Sequence, residues 1–140
     1  MGRSTATGPG QEITLAIEVT ETGLVVGDVM LAWTDETNAE IGYVIHPDHQ
    51  GHGYATEASA ALLTLAFDAD QGLGVHRVTA RVDQRNPASA AVLRKLGMRL
   101  EATLTENEWF KGRWSSEWDF AILDREWRPR ACRYPRPEGS

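Results

Sequence analysis

The sequence predicts an α/β fold of the α+β kind: a mixed, mostly antiparallel central sheet with elements in the order β-β-β-α-β-α-β-β. Three observations carry this. Apolar residues alternate with polar ones in five short segments and run together in a sixth; the period lengthens to that of a helix in two places; and turn-forming residues separate the segments. At 140 residues the chain has the length of one domain.

Ile13, Leu15, Ile17 and Val19 alternate with Glu12, Thr14, Ala16 and Glu18, the pattern of a half-buried strand. Thr22-Gly23 marks a turn, Val29, Leu31 and Trp33 continue a second strand, and Asp35–Asn38 marks the next turn. Ala39–Ile45 is more continuously apolar, so this central strand is expected to be buried on both faces. Short turns make the three an antiparallel meander. Ala58, Leu62, Leu65 and Ala69 fall on one helical face and predict an amphipathic helix from about Tyr54 to Ala69, stopped by Gly72 and Gly74. Val78, Ala80 and Val82 then alternate with Arg77, Thr79 and Arg81. A strand, a helix and a strand of these lengths favour a parallel pair with a right-handed crossover. Asn86-Pro87 starts a second helix, since Asn caps and Pro lacks the amide that would go unpaired; Gly97 ends it. Met98, Leu100, Ala102 and Leu104 form a fifth strand and Trp118, Phe120 and Ile122 the last, with the hairpin turn at Lys111-Gly112. The domain is therefore read as 12–127, between a flexible polar tail (1–11) and a basic Pro/Arg-rich tail (128–140).

Composition narrows the function classes. At 41% hydrophobic and 24% charged the chain is globular rather than disordered. No apolar run approaches the roughly 20 residues of a membrane span, and the first ten residues carry no secretory core. Cys132 alone makes no internal disulfide, which fits a cytoplasmic protein. Through His76 eleven acidic residues stand against Arg3, whereas the remainder carries thirteen basic and nine acidic residues. Nucleic-acid binders concentrate a basic stripe on the working face, and the basic residues here lie late, so a nucleic-acid partner is not expected. The acidic first half suits a cationic partner such as an amine, or is simply a solvated surface.

The segment Ile41–Thr56, IGYVIHPDHQGHGYAT, carries the chemistry. A central strand runs into a loop holding Gly51 and Gly53, and the loop opens a helix. Glycines let main chain approach a ligand closely, and first-turn amides with the helix dipole favour a phosphate or pyrophosphate. No Gly-Lys-Ser/Thr follows, so this is not a P-loop, and the spacing is not that of a dinucleotide fingerprint.

Gln50-Gly-His-Gly-Tyr-Ala55, together with Glu40-Ile-Gly-Tyr43, Asn86-Pro-Ala-Ser89 and Val92-Leu-Arg-Lys-Leu-Gly-Met98, resembles the GNAT superfamily of acetyl-CoA-dependent N-acetyltransferases and its RimJ/RimL-like branch. The resemblance spans about 12–127 and implies the acyl-CoA N-acyltransferase fold. It implies that the strands ending near Ile45 and Asp83 splay, that pantetheine pairs with the main chain of Tyr43, Val44 and Ile45, and that Gln50, Gly51, His52, Gly53, Tyr54, Ala55 and Thr56 hold the pyrophosphate through their amides. Asn86 caps its helix and, by resemblance, bonds the pantetheine arm. Acyl transfer needs a base for the amine, stabilisation of the oxyanion and a proton for the leaving thiolate. Glu40 lies near the position of a family base and is expected to act through water; its alternative is an ordinary strand carboxylate. The commoner tyrosine acid of the superfamily is replaced here by Leu93, and the branch instead places a serine where Ser89 stands. Ser89 is thus either the acid for the thiolate or a first-turn serine bonding locally. The oxyanion would be held by a strand amide near Val44 or Ile45.

His46, His49 and His52 recur every third residue with Asp48 among them, and imidazole is a common metal ligand. The segment is a loop whose backbone the resemblance commits to acetyl-CoA, so no metal is expected. Trp109 and Trp114 flank the hairpin and suit an acceptor pocket or a dimer contact. Members of the superfamily carry a strand and two helices before the strand that begins here near Glu12, whereas this chain has about eleven polar residues there. Either a partner chain supplies the missing wall, the acceptor is bound in an open groove, or the start of the sequence is short; an uncovered sheet face is expected to favour a homodimer. The expected function is acetyl transfer to a primary amine, on a protein N-terminus or a small molecule. The alternative is a non-catalytic acyl-CoA-binding module or partner subunit.

Overall fold

A computed structural model describes residues 10–49, 53–70 and 72–131. The strands are β1 (Glu12–Glu18), β2 (Val25–Asp35), β3 (Asn38–Ile45), β4 (Arg77–Asp83), β5 (Arg99–Phe110) and β6 (Arg113–Leu123). The helices are α1 (Tyr54–Phe67), α2 (Pro87–Lys95) and α3 (Asp124–Ala131). The six strands form one sheet in the order β1-β2-β3-β4-β6-β5. Only β3 and β4 pair in parallel; every other neighbouring pair is antiparallel. The expected order of eight elements is therefore present, and a third helix follows it.

The meander forms where it was expected, but β2 begins earlier than the sequence pattern indicates. Gly27 is the reason. A Cβ there would come within 2.0 Å of the Val44 carbonyl oxygen, so the residue that obscures the alternation is the one that lets β2 run close against β3. The β2–β3 turn is held by Asp35, whose Oδ1 accepts from the Thr37 amide at 2.8 Å and from Asn38 Nδ2 at 3.0 Å. That geometry holds the Asp35 carboxyl below its ordinary pKa, with the Asn38 side chain the largest cause.

α1 packs on β2, β3 and β4 and touches both other helices, while α2 rests on β4 and α3 on β6. One core results, with Leu31, Ile41, Val78, Val82, Phe120 and Ile122 of the sheet meeting Leu63, Phe67, Leu93, Leu96 and Trp127 of the helical layer. Beyond α1 the chain folds back on the helix end: the amides of Leu73 and Val75 donate to the carbonyls of Leu65 and Ala66, at 3.1 and 3.0 Å. Carbonyls in the last turn are thereby satisfied.

Two expectations need correction. β3 is covered on its helix-facing side only: Val44 is 65% exposed, and among the described residues no helix lies on the opposite face. A continuous apolar run reports composition, not what covers it. The basic tail expected from Arg128 is helical through Ala131. α3 docks by Trp127, which is 1% exposed and donates Nε1–H to Thr64 Oγ1 at 3.2 Å. Glu126 accepts from the Leu123 amide at 2.8 Å and pairs with Arg99, which also pairs with Glu101. Among the described residues no helix is long and apolar enough to cross a membrane.

Candidate active site

The parallel ladder between β3 and β4 is short. Its register pairs are Asn38 with Arg77, Ala39 with Val78 and Glu40 with Thr79. Beyond that rung Ile41–Ile45 remains paired with β2, and Ala80–Asp83 with β6. The sheet therefore forks at Glu40 and Thr79, as the splay implied by the resemblance requires.

A groove of about 400 Å³ opens where β3 ends. One wall is Tyr43, Val44 and Ile45, another is Gly53 with the first turn of α1, and the facing wall is α2 from Asn86 to Lys95. Nine of the sequence-predicted residues thus converge here: Tyr43, Val44, Ile45, Gly53, Tyr54, Ala55, Thr56, Asn86 and Ser89. Gln50, Gly51 and His52 lie outside the described residues.

Gly53 is the N-cap of α1 with φ 81° and ψ 3°, and no side chain caps the helix. The first helical bond runs from the Glu57 amide to the Gly53 carbonyl at 3.0 Å. The amides of Ala55 and Thr56 precede it, in the turn whose N–H groups have no carbonyl of their own helix within reach. A Cβ at Gly53 would meet nothing within 4 Å, so open space lies beside this turn. Among the described residues lining the groove there is no aspartate or glutamate, although its β3 and α1 walls come from the strongly acidic first half of the chain. With the positive end of the helix dipole and Lys95 at the wall, the groove suits an anion.

α2 starts as its sequence requires. Asn86 Oδ1 accepts from the Ser89 amide at 3.3 Å, and Pro87 occupies the first helical position. The turn before it is tied to β6. Asp83 accepts from the backbone and guanidinium of Arg85, and Arg85 Nη2 donates to buried Ser115 Oγ at 3.1 Å. Hydrogen bonding from Arg85 pulls the Asp83 carboxyl down to about 2.

Tyr43 Oη donates to the Ser89 carbonyl oxygen at 2.8 Å, joining β3 to α2. Burial pushes the phenol above its ordinary pKa, opposed by that bond, so it remains a donor at physiological pH. The Ser89 amide and carbonyl are both engaged, which leaves its hydroxyl as the group available to a ligand.

Glu40 does not line the groove. It lies three residues before Tyr43, so strand alternation turns it to the opposite face. There it sits in a line of register partners running Glu12, Ala32, Glu40, Thr79, Ala121 and Arg99. The structure thus brings Ser89 together with Asn86, Tyr43–Ile45 and Gly53–Thr56 and places Glu40 on the far side of the fork. His49 and Lys95 also line the groove and were not singled out for it from sequence. Ala88, Ala91, Val92 and Lys95 share one helical stripe, a run of small and apolar residues ending in a cation, which is the signal that could have found Lys95.

Known proteins resemble this chain in sequence and in fold. The chain is 35% identical over 104 residues to the uncharacterized N-acetyltransferase YnaD of Bacillus subtilis, covering 71% of this chain and 56% of that protein. It is 34% identical over 120 residues to the uncharacterized N-acetyltransferase p20 of Bacillus licheniformis, covering 84% and 66%. The chain therefore spans between about half and two thirds of the length of these relatives. A crystal structure of a GNAT-family acetyltransferase from Bacillus anthracis superposes with a TM-score of 0.74 at 29% identity, covering 81% of this chain and 67% of that one. Residues 3–99 match the acetyltransferase (GNAT) domain. With the fork, the uncapped glycine helix start and the facing Asn-Pro helix all inside or beside that match, the chain belongs to the GNAT acetyltransferase family.

Proposed function

We propose that this protein transfers an acetyl group from acetyl-CoA to a primary amine, on a small molecule or a protein N-terminus. The observation that carries the proposal is the acid-free groove joining the first turn of α1 to the fork between β3 and β4. Ala55 and Thr56 amides and the Lys95 ammonium suit the phosphates of coenzyme A, with Gly53 leaving room for them. The main chain of Tyr43–Ile45 suits the amides of pantetheine, and Asn86 faces the same groove. Acetyl-CoA, the co-substrate, would supply the activated thioester.

The amine approaches from the open face of the sheet, where Glu40 stands at the last rung. Glu40 takes a proton from the ammonium through water. An α-amine, with an ordinary pKa near 8, yields its proton more readily than a lysine amine near 10.4. The amine nitrogen forms a bond to the acetyl carbonyl carbon, a strand amide near Val44 or Ile45 holds the developing oxyanion, and the C–S bond breaks. The Ser89 hydroxyl gives the leaving thiolate its proton and is re-protonated, through water, by the second proton that the amine nitrogen sheds as the amide forms.

Thiol release from acetyl-CoA, measured over a panel of N-terminal peptides, polyamines, amino acids and aminoglycosides, tests this. At least one amine is expected to release thiol, and Glu40→Gln to lower turnover most at the acidic end of the pH profile. Stabilisation by coenzyme A with no thiol released by any amine would favour a binding module instead. A homodimer belongs to the same proposal: exposed Trp109, Phe110 and Trp114 are large apolar groups for a second subunit to cover. Sedimentation of a monomer at micromolar concentration would remove it.

A further inference from the structure

The Tyr43 phenol crosses the groove. Its ring packs against the core and is half-buried, and Oη is held by the Ser89 carbonyl at 2.8 Å, joining residues 46 positions apart. The strand wall of the groove begins at Tyr43; neither Ile41 nor Gly42 lines it. A ligand anchored at the first turn of α1 and running back along β3 thus meets Ile45, then Val44, and last the Tyr43 ring.

We propose that the Tyr43 side chain, pinned to the Ser89 carbonyl, is a stop that limits the acyl group to a short chain. The proposal rests on the acetyl-CoA reading above and concerns the thioester end of the same groove. The stop is stiff for a definite reason. Moving the ring aside breaks the bond to Ser89 and leaves a half-buried hydroxyl unpaired, which costs more than the bond itself contributes. The bond also ties the stop to the first turn of α2, where Asn86 and Ser89 sit, so a longer acyl chain would have to displace the wall that carries the proposed acid.

Calorimetric affinities for coenzyme A, acetyl-CoA and hexanoyl-CoA test this without knowledge of the acceptor. The wild type is expected to bind acetyl-CoA at least about tenfold more tightly than hexanoyl-CoA, since even one misfitted methylene is worth about 10–200-fold in a shaped pocket. Tyr43→Ala is expected to bring that ratio close to one. Tyr43→Phe, which keeps the ring but frees it, should fall between. Tyr43→Leu, which keeps apolar packing, should relax the ratio as alanine does and serves if the alanine variant fails to fold. Equal wild-type affinities for the two thioesters, or a wild-type ratio retained in Tyr43→Leu, would overturn the stop while leaving the cofactor groove intact. Failure of the wild type to bind coenzyme A itself would instead overturn the acetyl-CoA reading, and this proposal with it.

Discussion

Replacing Gly53 by alanine separates backbone strain from ligand exclusion, because a second glycine supplies the control. Gly53 has φ +81° and Gly112 φ +77°, and a Cβ at either position would meet nothing within 4 Å. Alanine therefore imposes the same penalty at both, the left-handed conformation, about 1–2 kcal/mol. At Gly112, in the β5–β6 turn, nothing further changes. At Gly53 the methyl enters the open space beside the first turn of α1, where a diphosphate oxygen would approach the amides. One charge-assisted hydrogen bond is worth about 1.5–3 kcal/mol, so losing one weakens coenzyme A binding about 10- to 150-fold. Urea unfolding and calorimetric titration read the two effects independently. Both variants are expected to lose similar stability, about 1–2 kcal/mol, read as a lower urea midpoint. Only Gly53→Ala is expected to lose affinity. Wild-type affinity in Gly53→Ala, or an equal loss in Gly112→Ala, would refute the assignment of the phosphate site.

Three further substitutions bear on the site and its support. Ser89→Ala should lower turnover about 10²-fold or more while leaving coenzyme A affinity and stability near wild type, because the helix cap uses the Ser89 amide and Tyr43 uses its carbonyl; steady-state kinetics beside a titration decide it. Asn86→Asp keeps the oxygen that caps α2 but loses the amide donor, so urea unfolding should change little while coenzyme A affinity falls. Asn86→Ala should lose about 1 kcal/mol of stability as well. Asp83 is held at about 2 by Arg85. The stability from that pair is complete above the unfolded carboxylate value near 4 and is lost as pH falls through about 2. Arg85→Gln should therefore flatten the stability profile between about pH 4 and 2, read by urea unfolding across that range. Glu101 and Glu126, also lowered by their own bonds, keep part of the slope.

Elements with one face on the core were legible, and those without one were not. β1, β4, α1 and α2 bury a regular stripe, and the sequence places them within a residue or two. The outer half of the β5–β6 hairpin is exposed on both faces from Thr105 to Phe110, so no alternation announces it, and only its Lys111-Gly112 turn could be read. Among the α3 residues whose burial is described, Trp127 is the buried apolar one, and one residue has no period. That helix is made by its surroundings: the Thr64 hydroxyl, the core around Trp127 and the Arg99–Glu126 pair.

The site divides along the same line. Local chain direction leaves a mark in the sequence, because glycine at 53 and Asn-Pro at 86–87 favour those helix starts, and both were found. Contacts between side chains distant in sequence leave none, which is why the bond from Tyr43 to Ser89 and the presence of His49 and Lys95 in the groove required the fold. Glu40 shows where the two kinds of information meet. Its spacing of three from Tyr43 sends the two side chains to opposite faces of any continuous sheet, where they cannot share a reacting centre. They can do so only if the sheet opens between them, and the β3–β4 rungs end at Glu40 itself. Assignment of Glu40 as base and Ser89 as acid therefore demands an amine arriving from the face opposite the thioester. An acceptor found on the helix side of β3 would be incompatible with Glu40 as its base.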